Sequence, residues 1–462
     1  MLTRYRDLLF TGVILVMAPA CHADERDLAT GLLADLVALN TAPSGGNDLR
    51  PAVTMLADLL RAEGFPEADI AIVAPTEKQP NLVVRYRSAA PRRKPILMMA
   101  HLDVVEALPS DWTVPPFEMT ESDGYYYGRG TTDNKAGAAM LVANLVRLKR
   151  EGFESDRDLI VMLTADEEFE GIGALTLANE HRDLVEAEFA LNTDGGYVML
   201  VDDEPRAFIM QTSEKIYVTY RLEATDPGGH SSVPRSDNAI SRVARTLAEL
   251  DQHRFPIDLN ETTRAFFQRW RQFASANDAA LIEALLAGVP DGEITRQLDA
   301  QPYYNALART TCIATQIEGG HAENAIPQKA TAVINCRVLP QFPTTSARDA
   351  IASMAAKNDV SVVQTYPDRP SPPSPLLPEV LEPVNAIAQK FWPGVVVIPE
   401  MSTGATDGLF IRNIGIPVYA ISAIAEDPAD SRAHGQDERI SIKAFEDATE
   451  YWYLLVKALA QP

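Results

Sequence analysis

Apolar and polar positions follow two alternating spacings from about residue 27 to residue 201. Segments with apolar residues three or four positions apart, typical of helices, alternate with short apolar runs typical of buried strands. The helical spacing predicts helices at 27–39, 48–63, 135–150 and 171–180. The apolar runs predict strands at 81–86, 95–100, 158–164 and 188–193. This alternation indicates an α/β domain with a mostly parallel central sheet, in which ligands bind at the carboxyl ends of the strands.

The pattern changes near Lys215, where an alternating strand, IYVTYRLEA, begins. The other elements of a βαββαβ-like set are predicted at 238–252, 312–318, 329–338, 346–356 and 360–366. A polar helical stretch at about 253–308 interrupts this set and is interpreted as an insertion that either forms a dimer contact or covers a substrate cleft. We therefore expect a small inserted α+β sandwich domain. The proline-rich segment 369–378 is interpreted as the crossing back to the first domain.

The N-terminal residues resemble an export signal. Two basic residues, Arg4 and Arg6, precede an apolar stretch that is too short to span a bilayer, and Ala18-Pro19-Ala20 has the small-x-small pattern of a cleavage site. We expect an exported protein, periplasmic or secreted. The alternatives are an N-terminal helix packed on the domain and a lipoprotein anchored at Cys21. The predicted parts of the chain are a signal peptide at 1–20, a first domain at 24–210 and 369–462, and an inserted domain at 211–368.

Charge and cysteine content narrow the classes of partner. The chain has 41 basic and 64 acidic residues and a net charge of −23, which repels phosphate backbones and anionic lipid. We therefore expect neither nucleic acid nor a membrane surface as a partner, apart from the alternative lipid anchor. Cys312 and Cys336 lie the same distance from Asn324 and would be neighbours in a symmetric hairpin. A disulfide and a pair of free buried cysteines both fit this spacing.

The segment TADEEFEGIGA places three acids, Asp166, Glu167 and Glu168, directly after an apolar run. Burying an unpaired carboxylate costs several kcal/mol, a penalty that divalent cations remove. Since neighbouring side chains on a strand diverge, Glu168 can bind a metal while Glu167 acts as a base. The alternative is an ordinary exposed acidic turn.

Further candidate ligands occur beside strands and glycines. His101 and Asp103 end an apolar strand and point to the same face, so the acid can hold the second ring nitrogen of the histidine. Asp133 precedes a helix, Asp194 follows a strand, and His434 lies in a glycine-containing loop. A structural histidine and a helix cap are the alternatives for His101 and Asp133. The mixture of imidazole and carboxylate suits zinc, and five ligands with one bridging acid suit two metals.

Eight motifs in sequence resemble those of one family: HLDVV, GRGTTDNK, TADEEFEGIGA, NTDGG, GGHSSVPRSDNAI, NAIPQKATAVINCR, STGATDG and HGQDERI. The chain resembles the di-zinc metallopeptidases that include glutamate carboxypeptidase, aminoacylase, acetylornithine deacetylase and succinyl-diaminopimelate desuccinylase. This resemblance implies a zinc-peptidase-like catalytic domain with a mostly parallel central sheet and an inserted, ferredoxin-like α+β lid or dimerisation domain. The chain departs from the family pattern at Glu106, where relatives often have proline, and at Asp437, where they often have asparagine.

The resemblance also implies the metal and catalytic residues. One zinc is expected on His101 and Asp194, the other on Glu168 and His434, and Asp133 is expected to bridge both, next to a cis peptide bond to Asn134. Glu167 matches the general base, and Asp103 matches the acid behind the first histidine. Cobalt and manganese are alternatives to zinc, since carboxylate and imidazole accept all three.

The remaining implied residues contact the substrate. His230 matches a residue that reaches the carbonyl oxygen of the substrate, in several relatives from the neighbouring subunit of a dimer. Asn324 and Arg337 match groups that bind a carboxylate; an exposed charge on a strand is the alternative for Arg337. Three more residues match a loop that lines the pocket: Gly404, Thr406 and Asp407.

These residues predict an exported di-zinc hydrolase that cleaves the amide bond of a small peptide or an N-acyl amino acid with a free carboxylate. A homodimer is expected only from the resemblance. One alternative function is a deacylase dedicated to a single metabolite. The other is a binding protein that keeps the fold without turnover, which would be expected to lack the base or a ligand.

Overall fold

The computed structural model describes residues 20–288 and 292–461. The predicted export signal lies outside these residues except for Ala20, where the first helix begins. The helices are α1 Ala20–Ala38, α2 Arg50–Ala62, α3 Lys135–Arg150, α4 Ile172–Glu180, α5 Arg182–Val185, α6 Ala239–Gln252, α7 Glu261–Trp270, α8 Ala276–Ala287, α9 Gly292–Asp299, α10 Pro302–Ala308, α11 Thr345–Lys357, α12 Pro378–Phe391, α13 Gly408–Asn413 and α14 Ile442–Ala460. Within the described ranges, every helix is too short or too polar to cross a lipid bilayer.

The strands, in chain order, are β1 Ile70–Val73, β2 Asn81–Tyr86, β3 Ile96–His101, β4 Thr120–Ser122, β5 Tyr125–Tyr127, β6 Leu159–Thr164, β7 Phe189–Asn192, β8 Tyr197–Val201, β9 Glu204–Glu214, β10 Ile216–Thr225, β11 Gly229–His230, β12 Thr311–Gly319, β13 Ala325–Ile326, β14 Lys329–Val338, β15 Ser361–Gln364, β16 Val396–Ser402, β17 Val418–Ala420, β18 Ala425–Glu426 and β19 Arg439–Ser441. Most of the predicted elements agree with these bounds to within one or two residues. The largest difference is at α1, which begins seven residues before the predicted position 27.

The large sheet is mixed and carries helices on both faces. Its strand order is β1-β2-β6-β3-β7-β17-β9-β8-β18, with β16 beside β9. The central strand β3 is parallel to both β6 and β7, and all of its residues are buried. Met98 belongs to the core under α1, α3 and α14, whereas Leu97 and Met99 belong to the core under α4 and α13. Since successive residues point to opposite faces, only a continuous apolar run suits this position. The predicted α/β class is confirmed.

The small sheet has the order β12-β14-β10-β15, and all its neighbours are antiparallel. Helices α6 and α11 cover one face, where Val218, Tyr220 and Leu222 are fully buried at every second position of β10. Its strands come from residues 216–364, within the predicted inserted segment. Cys312 and Cys336 are directly paired residues of β12 and β14 and form a disulfide, which decides between the two options that the spacing left open.

The helices of the insertion complete a separate core against the large sheet. Phe266 and Phe267 of α7 are fully buried and pack with Ile209 of β9 and Ile398 of β16. The insertion therefore covers the part of the large sheet where β9 and β16 pair.

A third sheet, β19-β5-β4, holds two loops together. Arg439 of β19 pairs with Tyr127 of β5. The loop that follows β5 carries Asp133, and the loop that precedes β19 carries His434. These two candidate ligands are 301 positions apart in the chain, and this short pairing brings their loops side by side.

Candidate active site

The five predicted metal ligands converge at one edge of the large sheet. His101 ends β3, while Glu168 and Asp194 follow β6 and β7. Because these three strands are parallel neighbours, their carboxyl ends meet at the same edge. Asp133 and His434 come from the two loops joined by the third sheet. The ligand atoms form two groups, each within 4.8 Å, and both groups contain Asp133: His101, Asp133 and Asp194 in one, and Asp133, Glu168 and His434 in the other.

The two oxygens of Asp133 face different partners. Its Oδ1 lies 2.9 Å from Nε2 of His101, and its Oδ2 lies 2.9 Å from Nε2 of His434. The same nitrogen of His434 lies 2.9 Å from Oε2 of Glu168. A carboxylate with one oxygen directed to each group has the geometry of a bridging ligand. The Asp133–Asn134 peptide bond is cis, as the resemblance implied.

Asp103 makes a different contact from the one expected. The Nδ1 of His101 lies 3.0 Å from the backbone carbonyl of Asp103 and 3.7 Å from its carboxylate. The carboxylate instead accepts hydrogen bonds from the backbone N–H groups of Glu167 at 3.2 Å and Glu168 at 3.0 Å. The residue thus orients His101 through its main chain and holds the turn of the two glutamates through its side chain. The carboxylate that was expected to hold the histidine ring lies 3.7 Å from it, beyond hydrogen-bonding distance, so its role behind His101 stays a prediction.

The acidic segment forms a turn rather than the end of a strand. Strand β6 ends at Thr164, and Asp166 adopts a left-handed backbone conformation with φ 71°. The Asp166 carboxylate accepts hydrogen bonds from Nε2 of Gln79 at 2.9 Å and from the N–H of Glu170 at 3.3 Å. One of the three acids therefore stabilises the turn, which directs Glu167 and Glu168 into the cavity. Their side chains diverge because of this turn and not because of strand alternation.

The buried carboxyl groups at this edge disfavour one another's ionised form. Burial raises the pKa of Asp194 to about 8, and Asp133 and Glu168 add to the effect. Burial, followed by the charge of Asp194, raises the pKa of Glu167 well above its usual range. Burial also raises the pKa of Asp407 to about 7. Divalent cations invert this relation by favouring the ionised carboxylates. The donor set of two imidazoles and three carboxylates, one of which is shared by both groups, fits two such cations.

A cavity of about 420 Å³ opens from this edge towards the small sheet. Four of the five metal-ligand candidates line this cavity together with Glu167 and Arg337: Asp133, Glu168, Asp194 and His434. The Arg337 guanidinium stacks over the ring of Tyr217 at 4.7 Å and donates a hydrogen bond to the carbonyl of Thr403 at 3.3 Å. The aromatic side chains of the lining include Phe169, Tyr366 and Phe410.

The loop with Gly404, Thr406 and Asp407 also lines this cavity. Glu214, fully buried at the end of β9, accepts hydrogen bonds from the N–H of Thr406 at 3.1 Å and from its hydroxyl at 3.2 Å. Glu214 also forms an ion pair with Arg412 at 2.8 Å. The loop is therefore fixed from beneath by a buried carboxylate.

Two residues that were predicted to contact the substrate lie outside this cavity. His230 of β11 pairs with Ala325 of β13, and the N–H of Ser231 donates to the carbonyl of Asn324 at 3.0 Å. The side chains of His230 and Asn324 are exposed and do not line the cavity of their own chain. The described part of a single chain thus brings all the predicted metal ligands together but leaves these two residues apart from them.

Several residues at the site were missed by sequence reasoning. Arg369 lines the cavity and donates to the hydroxyl of Tyr366 at 2.7 Å. Lys215 also lines it, and burial lowers its pKa to about 7. Glu214 and Glu438 lie below the loops of the site. A signal existed for Glu214 and Lys215, because a charged pair interrupts the apolar run FIMQTSEKIYV. Glu438 stands in a polar motif and gave no such signal.

Comparison with known proteins places the chain in a family. Residues 97–458 match the model of peptidase family M20/M25/M40. The chain belongs to this peptidase family. This M20-family chain is 30% identical over 387 residues to a probable carboxypeptidase S-like 2 of Dictyostelium discoideum, covering 82% of this chain and 74% of that protein. It is also 30% identical over 380 residues to the N-fatty-acyl-amino acid synthase/hydrolase PM20D1 of Homo sapiens, covering 79% of this chain and 74% of that protein.

A solved structure extends the likeness to the fold. The M20 family metallo-carboxypeptidase Sso-CP2 from Sulfolobus solfataricus superposes with a TM-score of 0.70 at 19% identity, covering 93% of this chain and 99% of that chain. The predicted family, the fold class and the assignment to the metallopeptidase class of enzymes are confirmed. The roles of individual residues stay predictions that the geometry supports.

Proposed function

We propose that this M20-family enzyme holds two zinc ions and hydrolyses the amide bond of N-acyl amino acids or small peptides that end in a free carboxylate. The observation that carries the proposal is the position of Asp133, whose two oxygens face His101 and His434 at 2.9 Å each. His101, Asp133 and Asp194 would hold one ion, and Asp133, Glu168 and His434 the other. Zinc at such a site lowers the pKa of water to about 7 and polarises a carbonyl group.

The protein side chains supply the remaining chemistry. Glu167 accepts a proton from the attacking water and returns it to the leaving amine, because it lines the cavity beside the candidate ligands Glu168 and Asp194. Asp103 holds the turn that carries Glu167. Arg337 binds the substrate carboxylate, because its planar guanidinium matches the two carboxylate oxygens. The loop of Gly404 and Thr406 forms the wall beside it.

The cavity favours a substrate with a large apolar group. Phe169 directly follows Glu168, lines the cavity and is 46% exposed although it is aromatic. Phe410, Tyr366 and Tyr217 extend this aromatic surface towards Arg337. These side chains offer apolar contact area beside a carboxylate-binding group. We therefore place N-acyl amino acids with long or aromatic acyl groups first among the candidate substrates, in keeping with the human relative's name, and dipeptides second.

The proposal includes export and a homodimer. The pattern of residues 1–20 supports export to the periplasm or the medium, with anchoring at Cys21 as the alternative. The exposed positions of His230 and Asn324 support a dimer in which these residues act on the partner's cavity. The edge strand β12 exposes Ile313 by 66% and Ile317 by 61%, which suits contact with a second copy.

A substrate panel tests the proposal. Purified protein is assayed with acetyl-, lauroyl- and benzoyl-amino acids, with dipeptides and with acyl amino acid amides, before and after treatment with a chelator and after restoration of zinc, cobalt or manganese. We expect hydrolysis that needs a free carboxylate, is lost with the chelator and returns with metal. Hydrolysis of one metabolite only would favour a dedicated deacylase. Binding without turnover, or turnover unaffected by complete metal removal, would contradict the proposal.

A further inference from the structure

A buried ion pair lies beneath the two loops that carry Asp133 and His434. The guanidinium of Arg129 and the carboxylate of Glu438 are 2.6 Å apart, and the two side chains are 2% and 0% exposed. Neither residue lines the cavity, so neither can contact a substrate there. The pair joins positions 309 residues apart. Burial of this ion pair costs free energy, because two charges are removed from water. Such pairs are neutral or unfavourable for stability unless their hydrogen bonds are complete.

The Glu438 carboxylate is saturated by donors from the Asp133 loop. Its Oε2 accepts from the N–H of Gly130 at 2.9 Å in addition to Arg129. Its Oε1 accepts from the N–H of Thr132 at 2.7 Å, from the hydroxyl of Thr132 at 2.8 Å and from the N–H of Asp133 itself at 3.0 Å. A carboxylate offers about four lone-pair sites, and five donors converge on this one. The main chain on the N-terminal side of the bridging ligand is therefore held by a single side chain.

Arg129 makes the matching contact with the other loop. Its Nη2 donates to the carbonyl of Gly435 at 2.8 Å, one residue beyond His434. Its guanidinium also lies over the ring of Trp112 at 5.1 Å, which fixes its plane. His434 is itself 56% exposed and has a left-handed backbone conformation with φ 62°. The anchor at Gly435 fixes the main chain next to His434, and the ring then lies 2.9 Å from both Asp133 and Glu168.

We propose that the Arg129–Glu438 ion pair is the positioning device of the metal centre, which keeps Asp133 and His434 at the separation that two metal ions require. This inference rests on the proposed two-metal function and adds two residues that are neither ligands nor catalytic groups. Partners that orient metal ligands from behind affect metal affinity by about 10- to 100-fold. The pair acts on both loops at once, so we expect its loss to weaken the group of Asp133, Glu168 and His434 more than the group of His101, Asp133 and Asp194.

The test compares two isosteric substitutions in the full chain. Glu438→Gln replaces one acceptor oxygen by a donor that faces Arg129 or the loop N–H groups. Glu450→Gln is the matched control, because Glu450 also accepts from an arginine, Arg147 at 2.6 Å, on helices away from the two loops. Zinc affinity is measured by competition with a chromophoric chelator. Visible absorption of the cobalt-loaded protein reports ligand geometry, and amide hydrogen exchange of the metal-free protein reports the order of the loop at Thr132.

We expect Glu438→Gln to weaken binding of the second ion by about 10- to 100-fold, to change the cobalt spectrum and to speed exchange at Thr132. Glu450→Gln should match the wild type in all three. Folded Glu438→Gln protein with wild-type affinity and spectrum would overturn the inference. If this variant does not fold, Arg129→Lys takes its place, since it keeps the charge and loses the planar fork; unchanged metal affinity there would equally overturn the inference. A wild-type chain that binds no metal would overturn the proposed function as well, so the two failures are distinguishable.

Discussion

Polar side chains at the end of β3 are buried at the edge of the large sheet, but those at the two-stranded sheet of β11 and β13, which we call the tip, are exposed. At the edge, His101 and Asp103 are each 1% exposed, and every predicted ligand has a partner within hydrogen-bonding distance or within its ligand group. At the tip, His230 and Asn324 are exposed, and the Nδ1 of His230 accepts from the N–H of the neighbouring Ser232 at 3.1 Å and lies 2.7 Å from its hydroxyl. One region is organised within a single chain, whereas the other presents its residues to the outside.

The two regions therefore suit different tasks, metal binding at the edge and substrate contact at the tip. Metal binding needs fixed distances, which buried hydrogen bonds such as those of Asp103 and Glu438 supply before any ligand arrives. Contact with a substrate of variable size needs groups that can approach after binding, and exposed residues on a small separate sheet meet that need. We expect substitutions at the edge to alter metal content or the chemical step, and substitutions at the tip to alter turnover with the metal centre intact.

The largest effect is expected at Glu167. Glu167→Gln should lower kcat/KM by about 10²- to 10⁴-fold with unchanged metal content, because the base is lost and the ligands stay. Steady-state kinetics and metal analysis on the same sample measure both quantities. Glu180→Gln, an exposed position at the end of α4, serves as the control and should be as active as the wild type. Full activity of Glu167→Gln would remove the assignment of the base.

The second largest effect is expected at His230 of the tip. His230→Ala should lower kcat by about 10²- to 10³-fold, as expected when a donor to a developing oxyanion is removed, with no change in metal content or unfolding temperature. If the histidine acts on the partner's cavity, mixing this variant with Glu167→Gln should restore activity. Equal, random mixing into dimers predicts about one quarter of wild-type activity, because half of the dimers are mixed and each has one complete site. Mixtures as inactive as their components would contradict action across a dimer.

A smaller effect is expected where the two regions meet, at Arg337. Arg337→Lys keeps the charge but loses the planar fork, which costs about 1.5–3 kcal/mol and should raise KM by about 10- to 150-fold for substrates with a free carboxylate. The corresponding amides should be affected little, since they lack the group that the arginine binds. Arg221→Lys on strand β10, an exposed position, is the control. An equal loss for acids and amides would show that Arg337 does not bind the carboxylate.

The smallest effect on activity concerns the disulfide of the small sheet. The double variant Cys312→Ser with Cys336→Ser opens a loop that spans 24 positions and should lower the free energy of unfolding by about 3 kcal/mol. Denaturant unfolding measures this change. Activity under folding conditions should stay near the wild-type value, because the bridge lies outside the cavity. A loss of activity without a loss of stability would mean that the bridge positions Arg337, its sequence neighbour.

The site residues that the sequence predicted are those beside a local pattern of apolar residues. His101, Glu168 and Asp194 follow apolar strands, and parallel strands end at one edge, so their proximity could be inferred from periodicity. The contacts of Glu438 and Arg129 join distant positions through loops without periodicity, and no local pattern indicates them. The Asp103 carboxylate that was expected beside His101 lies 3.7 Å from its Nδ1, whereas the Asp103 carbonyl lies at 3.0 Å. Alternation along a strand gives the face of a side chain but not whether its carboxylate or its carbonyl reaches the ring.

The bounds of the small sheet were predictable for a similar reason. Its strands alternate apolar and polar residues, as at Val218, Tyr220 and Leu222, which leaves one register for the helix-covered face. The role of the insertion was not predictable, because its apolar residues pack against β9 and β16. Packing between helices and a sheet so far apart in sequence depends on the shape of both surfaces.

The number of metal ions per chain tests the central claim most directly. Protein purified with zinc and freed of loosely bound ions is analysed by elemental mass spectrometry, beside Asp133→Asn and His434→Ala variants. The shared position of Asp133 predicts two ions per wild-type chain, one in His434→Ala, and fewer than one in Asp133→Asn. Two ions retained in Asp133→Asn, or no divalent ion bound by the wild type at micromolar free zinc, would contradict the bridged two-metal centre.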